Sequence, residues 1–363
     1  MKLHRPAVSV YTVPTDAPEA NGTLAWDSTT MVLAEVSAGG ATGTGWTYGP
    51  ASVGLMLGEH LATLVEGQDA LDIPALHDAM CRSVREAGRP GITGCAISAL
   101  DIALWDLKAR LLDLPLVSLL GAARTRVPVY GSGGFTTYPE KCLADQLGRW
   151  VHEQRIPRVK IRIGTGWDQG FHRDLSRVRA AGRAIGPGTE LYVDANGAYN
   201  RKQALRIGSA LGHYGVSWFE EPVSSDDLTG LRLLRDTLDC DVAAGEYGYD
   251  LPYFARLVTA GAVDCLQVDA TRCGGITEFL RAAALALAHG LEISARCAPN
   301  AHAAAAAAIP NLRHIEWFHD HVRIESMFFD GTLDPTGGTV QPSQGPGHGL
   351  TLRRQDAEKY RVA

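Results

Sequence analysis

Two textures of apolar and polar positions divide the chain. As far as residue 120 or so, short apolar runs such as MVLAEVSA (31–38) are separated by Gly-rich turns and by stretches of helical spacing, LMLGEHLATLVEG and ALHDAMCRSVREA. GCAISALDIALWDLKARLLDLPLVSLLG (94–121) spaces its apolar residues as a long amphipathic helix around Asp101, Asp106 and Lys108, with Pro115 ending it. This half reads as a self-contained α+β domain. Beyond residue 125 the runs become short and β-rich: VPVYG, RVKIRIG, LYVDANG, SWFEEP, DVAAGE, DCLQVDA, LEISAR and HIEWF, each followed by a helix-length stretch. Eight strands alternating with helices predict an α/β fold with a parallel closed barrel. The run AHAAAAAAI (301–309) fits its seventh helix, since alanine is the best helix former. The domains expected are therefore 1–122, a barrel over 123–320, and a Gly- and Pro-containing segment, 321–363, that packs back on the first domain.

In such a barrel the active site lies at the C-terminal ends of the strands, and here those ends are polar. Strand two closes with Lys160 and Arg162, three with Asp194, four with Glu220, five with Glu246, six with Asp269, seven with Arg296 and eight with Glu316. Each lies about one strand–helix unit from the next, so all converge on one mouth. Helix capping would account for Asp194 and Asp269. It accounts poorly for the glutamates, which are weak caps and would repel one another unless a cation neutralised them. Asp194, Glu220 and Glu246 form an all-oxygen set suited to Mg²⁺. Lys160 and Arg162, two apart on one strand, leave the same face and point at the acids if that face is the barrel interior.

Composition narrows the partners. A formal net charge of -6, from 34 basic and 40 acidic residues, gives no basic face for nucleic acid and no polybasic membrane anchor. No apolar run approaches the roughly 20 residues of a membrane span, and the N-terminus lacks a signal-type apolar stretch, so a soluble cytoplasmic protein is expected. The seven cysteines are scattered, with no CxxC pair, and read as reduced thiols. The partner expected is a small molecule.

The helix GCAISALDIALWDLKARLLDLPLVSLLG, the run LYVDANGAYNRKQAL…SWFEEP and the stretch VDATRCGGITE resemble the enolase superfamily, in its mandelate racemase and muconate lactonizing enzyme group. The resemblance implies an α+β capping domain over a modified (β/α)₈ TIM barrel. It further implies one Mg²⁺ that binds a substrate carboxylate, and chemistry that begins by removing the proton α to that carboxylate. Residue by residue it implies Asp194, Glu220 and Glu246 as metal ligands and Asn196 as a polar neighbour of the ligand strand. Lys160 becomes the first lysine of a Lys-x-Lys pair, Asp269 the aspartate of a His/Asp dyad and Glu316 a proton donor to the enolate oxygen. Asp269, where the muconate-type branch has lysine, favours the racemase-type branch. A homo-oligomer is also implied.

Two positions depart from the pattern. Arg162 stands where the second lysine is expected and Arg296 where the dyad histidine is expected. A neutral guanidine near pH 7 would cost roughly 9 kcal/mol, so neither is an easy proton acceptor. Racemisation, which needs a base on each face of one carbon, loses most by this. Dehydration of a sugar acid or other hydroxy acid can run with a single group, making a hydro-lyase the leading expectation. A racemase, epimerase or cycloisomerase, and a metal-binding relative that has lost proton transfer, are the alternatives. Lys160 is the remaining conventional base, its pKa expected to fall beside Arg162 and Mg²⁺. Tyr130 and His302 are fallback candidates, although a helical histidine more often simply packs. The two guanidiniums also suit a second carboxylate or a phosphate on the substrate. Specificity is expected from first-domain loops over the mouth: Asn21 to Asp27 with Trp26, and the turn around Tyr48.

Overall fold

The computed structural model describes residues 1–165 and 170–363. Strands β1 (Ala7–Ala20), β2 (Ala25–Ala38) and β3 (Ala41–Tyr48) form an antiparallel sheet in that order. In β2 the residues from Met31 to Val36 are all buried, because the sheet is covered on both faces. Val32, Ala34 and Val36 turn toward the first domain's own core with Leu100, Leu104 and Leu107 of the helix Ile92–Leu111. Met31 and Leu33, with Tyr11, Trp46 and Tyr48, turn toward the barrel. The period of two thus sorts one continuous apolar run into two cores. The helix lies directly on β3, and glycine is required there. A Cβ at Gly43 or Gly45 would come within 2.3 Å of Ala103 O or 2.2 Å of Ala99 O. This helix stops at Leu111, ahead of Pro115, with Asp113 in the left-handed region (φ 53°), and a separate short helix follows over Leu116–Leu120.

Strands β4 (Val127–Gly133), β5 (Arg158–Arg162), β6 (Glu190–Asp194), β7 (Val216–Glu220), β8 (Asp241–Ala244), β9 (Cys265–Val268), β10 (Glu292–Ala295) and β11 (Leu312–Phe318) pair in parallel in that order. β11 pairs with β4 and closes the eight-stranded barrel. Its apolar positions face outward: Val159, Ile161, Leu191, Val193 and Phe219 join the core beneath the surrounding helices. The alternate positions face the axis, where Tyr130, Tyr192, Trp218, Ala243 and Cys265 form one layer. The next layer toward the C-terminal ends is charged. The sequence VKIR on β5 is this arrangement in four residues.

The Ala-rich run lies in the helix Pro299–Ala308, following β10. The helix His319–Phe328 follows β11 directly, so the eighth strand–helix unit runs past residue 320, where the sequence pattern ends the barrel. Its charged first turn, HDHVR, hides the helical spacing. Beyond it the chain returns to the first domain: Val10 N donates to Ala363 O at 2.8 Å, and His348 N to Asp106 Oδ1 at 2.7 Å. The cysteines are free thiols. Among the described residues no helix is long and apolar enough to cross a membrane.

Candidate active site

The ends of β5, β6, β7, β9, β10 and β11, with Glu246 just beyond β8, bring the charged residues together in a buried mouth. Lys160 Nζ lies 2.6 Å from Glu220 Oε2, 2.8 Å from Glu316 Oε1 and 3.4 Å from Asp194 Oδ2. Arg162 donates to Asp194 Oδ2, and at 3.1 Å to Asn196 Oδ1, while its Nη2 lies 3.6 Å from Glu316. Its Nε is sealed and meets no acceptor among the described residues. Arg296 joins the next two acids, donating from Nε to Glu246 Oε2 and from Nη1 to Asp269 Oδ2, each at 3.2 Å. Asp269 Oδ1 also accepts from Thr271 N at 2.8 Å and Thr271 Oγ1 at 2.6 Å, a local turn contact. Glu316 accepts from Ser132 Oγ at 2.6 Å and from Cys297 N at 3.2 Å.

Oxygens of Asp194, Glu220 and Glu246 lie within 4.8 Å of one another, and all three residues are buried. With no nitrogen or sulfur donor, this set fits a hard divalent ion such as Mg²⁺. Six acids, Asp194, Glu220, Glu221, Glu246, Asp269 and Glu316, share the mouth with four cations, Lys160, Arg162, Arg272 and Arg296, so ionising every acid calls for a divalent cation to complete the balance.

Burial alone would favour a neutral Lys160, but Glu220, Glu316 and Asp194 outweigh it and hold the ammonium above its usual range. Arg162 pulls in the expected, lowering direction, but it is paired with Asp194 and the acids are closer. Glu316 is likewise buried, yet Lys160, Arg162 and Arg296 hold it well below the carboxylate range. As found it is an acceptor, and its expected role as proton donor requires a proton that these cations oppose. Burial and Asp194 push Glu220 up. Burial and Glu246 do the same for Glu221, both of whose oxygens are sealed without a donor among the described residues.

Non-glycine residues in the left-handed region cluster at these strand ends: Asn196 (φ 46°), Glu221 (φ 39°), Cys297 (φ 52°) and Ala298 (φ 36°). Such backbone costs about 1–3 kcal/mol per residue and persists where surrounding structure fixes it. At Asn196 the turn is held by its own N–H, which donates to Asp194 Oδ1 at 2.8 Å. At Glu221 it swings the second acid of WFEEP toward the site. An ideal strand would point it away from the axis, so alternation along the sequence gives no sign of it. Arg272, which lies 3.8 Å from Glu246 and 3.7 Å from Asp269, was also missed. Its one signal was its place three residues after Asp269.

The remaining candidates separate. The β1–β2 connection lies over the mouth: a Cβ at Gly22 would meet Ala195 O at 2.4 Å, one residue beyond Asp194. Trp26 packs edge-on against Phe135 and donates to Glu19 at 2.9 Å. Tyr48 does not sit in an exposed turn. It ends β3, buried between the domains, its ring stacked on His321 and its hydroxyl donating to Glu325 at 3.3 Å. Tyr130 is buried below the charged layer with Lys160 Nζ 5.3 Å from its ring centroid, and burial with Glu316 and Glu220 pushes its hydroxyl up, away from use as a base. His302 uses both ring nitrogens, accepting from Ala270 N at 2.8 Å and bonding Ala298 O at 3.0 Å. That is a packing role.

Comparison with known proteins agrees with this geometry. Residues 7–121 match the N-terminal domain model described as mandelate racemase / muconate lactonizing enzyme, and 142–357 match the enolase C-terminal domain-like model. L-talarate/galactarate dehydratase of Salmonella typhimurium is 32% identical over 336 residues, covering 90% of this chain and 81% of its own. A crystal structure of a mandelate racemase/muconate lactonizing enzyme-like protein from Rubrobacter xylanophilus superposes with TM-score 0.96 at 52% identity over 100% of both chains. That of a racemase from Streptomyces coelicolor A3(2) with bound magnesium gives 0.93 at 29%, covering 99% of this chain and 100% of its own.

Proposed function

The chain belongs to the mandelate racemase / muconate lactonizing enzyme family of the enolase superfamily, and from that premise we propose that it dehydrates a sugar acid in a Mg²⁺-dependent reaction. The observation that carries the reading is the inventory of the mouth. A hard carboxylate triad adjoins one amine, Lys160, while guanidiniums, Arg162 and Arg296, stand at the two positions that the family resemblance assigns to the bases of racemisation. The dehydratase relative supports the substrate class.

Asp194, Glu220 and Glu246 would hold the ion, which when bound supplies Lewis-acid stabilisation of charge on the substrate carboxylate. An ion held there would take Asp194 and Glu220 from Lys160, which would keep Glu316 as its close counter-charge and would give up a proton more readily. Lys160 Nζ then takes the α-proton. The same proton passes to the β-hydroxyl as the C–O bond breaks, giving water and an enol that becomes a 2-keto-3-deoxy acid. Arg162 and Arg296 hold the substrate's anionic oxygens without competing for the proton.

The remaining elements of the proposal are a small-molecule carboxylate as partner, a homo-oligomeric state and a cytoplasmic location. The functional unit is a cap over 1–122 above a barrel from 123, with the C-terminal segment returning to the cap. The test is incubation with Mg²⁺ in D₂O and a panel of sugar acids, followed by NMR and mass spectrometry. A product lacking water, formed with no deuterium accumulating at the substrate's α-carbon, is expected. Neither turnover nor exchange with any acid that measurably binds would refute the reading.

A further inference from the structure

A second set of potential ligands lies where the β1–β2 hairpin meets the end of β11, beside the mouth. Asp16 and Glu19 lie on β1 where its pairing with β2 slips between Pro14 and Glu19. His319 is the residue after β11. One oxygen from each acid and one ring nitrogen of His319 lie within 4.8 Å of one another, with His319 Nε2 3.0 Å from Asp16 Oδ2. Glu19 is fully buried. Its Oε2 accepts from Trp26, but Oε1 is sealed from solvent and has no donor among the described residues. Asp320, also buried, has Oδ2 in the same condition, its Oδ1 being held by Arg323 Nη2 at 2.6 Å. Asp16, Glu19 and Asp320 therefore face one guanidinium and an imidazole.

A sealed carboxylate oxygen without a donor costs on the order of 1–3 kcal/mol or more, and either a proton or a cation removes that cost. We propose that Asp16, Glu19 and His319 form a second divalent-cation site, taking a borderline first-row ion such as Zn²⁺. An imidazole nitrogen with two carboxylates suits Zn²⁺ better than Mg²⁺, and three protein ligands leave a position for water. Asp16, whose side chain is 48% exposed, gives the ion a route in. The site joins the first domain to the residue that follows β11. It fastens a hairpin already held to the barrel by Thr136 N donating to Ala20 O at 2.9 Å and Thr137 Oγ1 to Pro18 O at 2.5 Å. Gly22, at the tip of that hairpin, rests on the strand end that carries Asp194. The ion's role is to hold the hairpin, not to react.

The experiment titrates metal-stripped full-length protein with Zn²⁺ by equilibrium dialysis, with Mg²⁺ held saturating to occupy the mouth. One equivalent of Zn²⁺ per chain is expected, with affinity at least tenfold weaker in His319→Ala and in Glu19→Gln. Co²⁺ provides a second readout: a visible band lost in Asp16→Asn confirms ligation without requiring the other variants to fold. No Zn²⁺ bound above the Mg²⁺ background, or variants that bind like wild type, would overturn the proposal.

Discussion

Replacing Lys160 with methionine removes the ammonium that sits among three buried carboxylates. Nζ is 2.6 Å from Glu220, 2.8 Å from Glu316 and 3.4 Å from Asp194, and none of the four side chains reaches solvent. Methionine preserves most of the stem's bulk, so what is lost is mainly charge. Breaking a buried ion pair from one side costs about 3–5 kcal/mol, and the metal-free variant is expected to lose that much in urea unfolding. Mg²⁺ reverses part of the loss. The ammonium and a divalent ion compete for the same oxygens of Asp194 and Glu220, so Lys160→Met should bind Mg²⁺ more tightly than wild type. At a hundredfold excess over Kd the ion returns about 2.7 kcal/mol. Turnover should nevertheless fall by roughly 100- to 10,000-fold, because the base is gone. Unfolding followed by tryptophan fluorescence with and without Mg²⁺, calorimetric Mg²⁺ titration and a dehydration assay read the three effects separately. Unchanged stability in metal-free buffer, or weaker Mg²⁺ binding by the variant, would refute the competition argument; retained turnover would remove Lys160 as base.

Other outcomes follow from single contacts. Arg296→His places an imidazole beside Asp269 and should introduce α-deuterium into recovered substrate on one face, measured by NMR; a folded, Mg²⁺-binding variant without exchange would sink the assignment of that position. Glu325 is buried under Trp46 Nε1 at 3.1 Å and Asn300 Nδ2 at 2.6 Å, and burial pushes it up to about 7. Between its unfolded value of 4.5 and that figure the folded state holds the extra proton, so stability falls as pH rises through this window, by about 3 kcal/mol. In Glu325→Gln the fall should vanish, checked by urea midpoints at pH 5 and 8. His302→Ala should cost about 1–3 kcal/mol of stability by freeing Ala270 N, while kcat/KM changes less than tenfold. A larger kinetic loss would return His302 to the reacting groups.

Much of the barrel was legible because its alternation is strict. VKIR sends valine and isoleucine to the helices and both cations to the axis, and the acids at later strand ends could be aligned the same way. Alternation fails where the backbone leaves the strand. Glu221 was invisible because φ 39° turns it toward the site. Tyr48 was mistaken for a loop residue because GWTYG looks like a turn, whereas the strand continues through it into the interface between the domains. The electrostatics of Lys160 are legible only in part: a sequence shows which cations are near, but not that Arg162 pairs with Asp194. The eighth helix was obscured by acids and bases that face solvent or pair locally, such as Arg323 with Asp320.

The seam between the two halves is made of polar bonds rather than of a linker. Trp46 and Tyr48 reach Glu325, Thr47 Oγ1 donates to Thr271 O at 2.6 Å, and Asp101 accepts from Thr277 N at 3.0 Å and Oγ1 at 2.6 Å. The halves are therefore not independent cassettes. A cap separated from its barrel would leave buried donors and acceptors unpaired on both docking faces, so the two are expected to unfold as one unit.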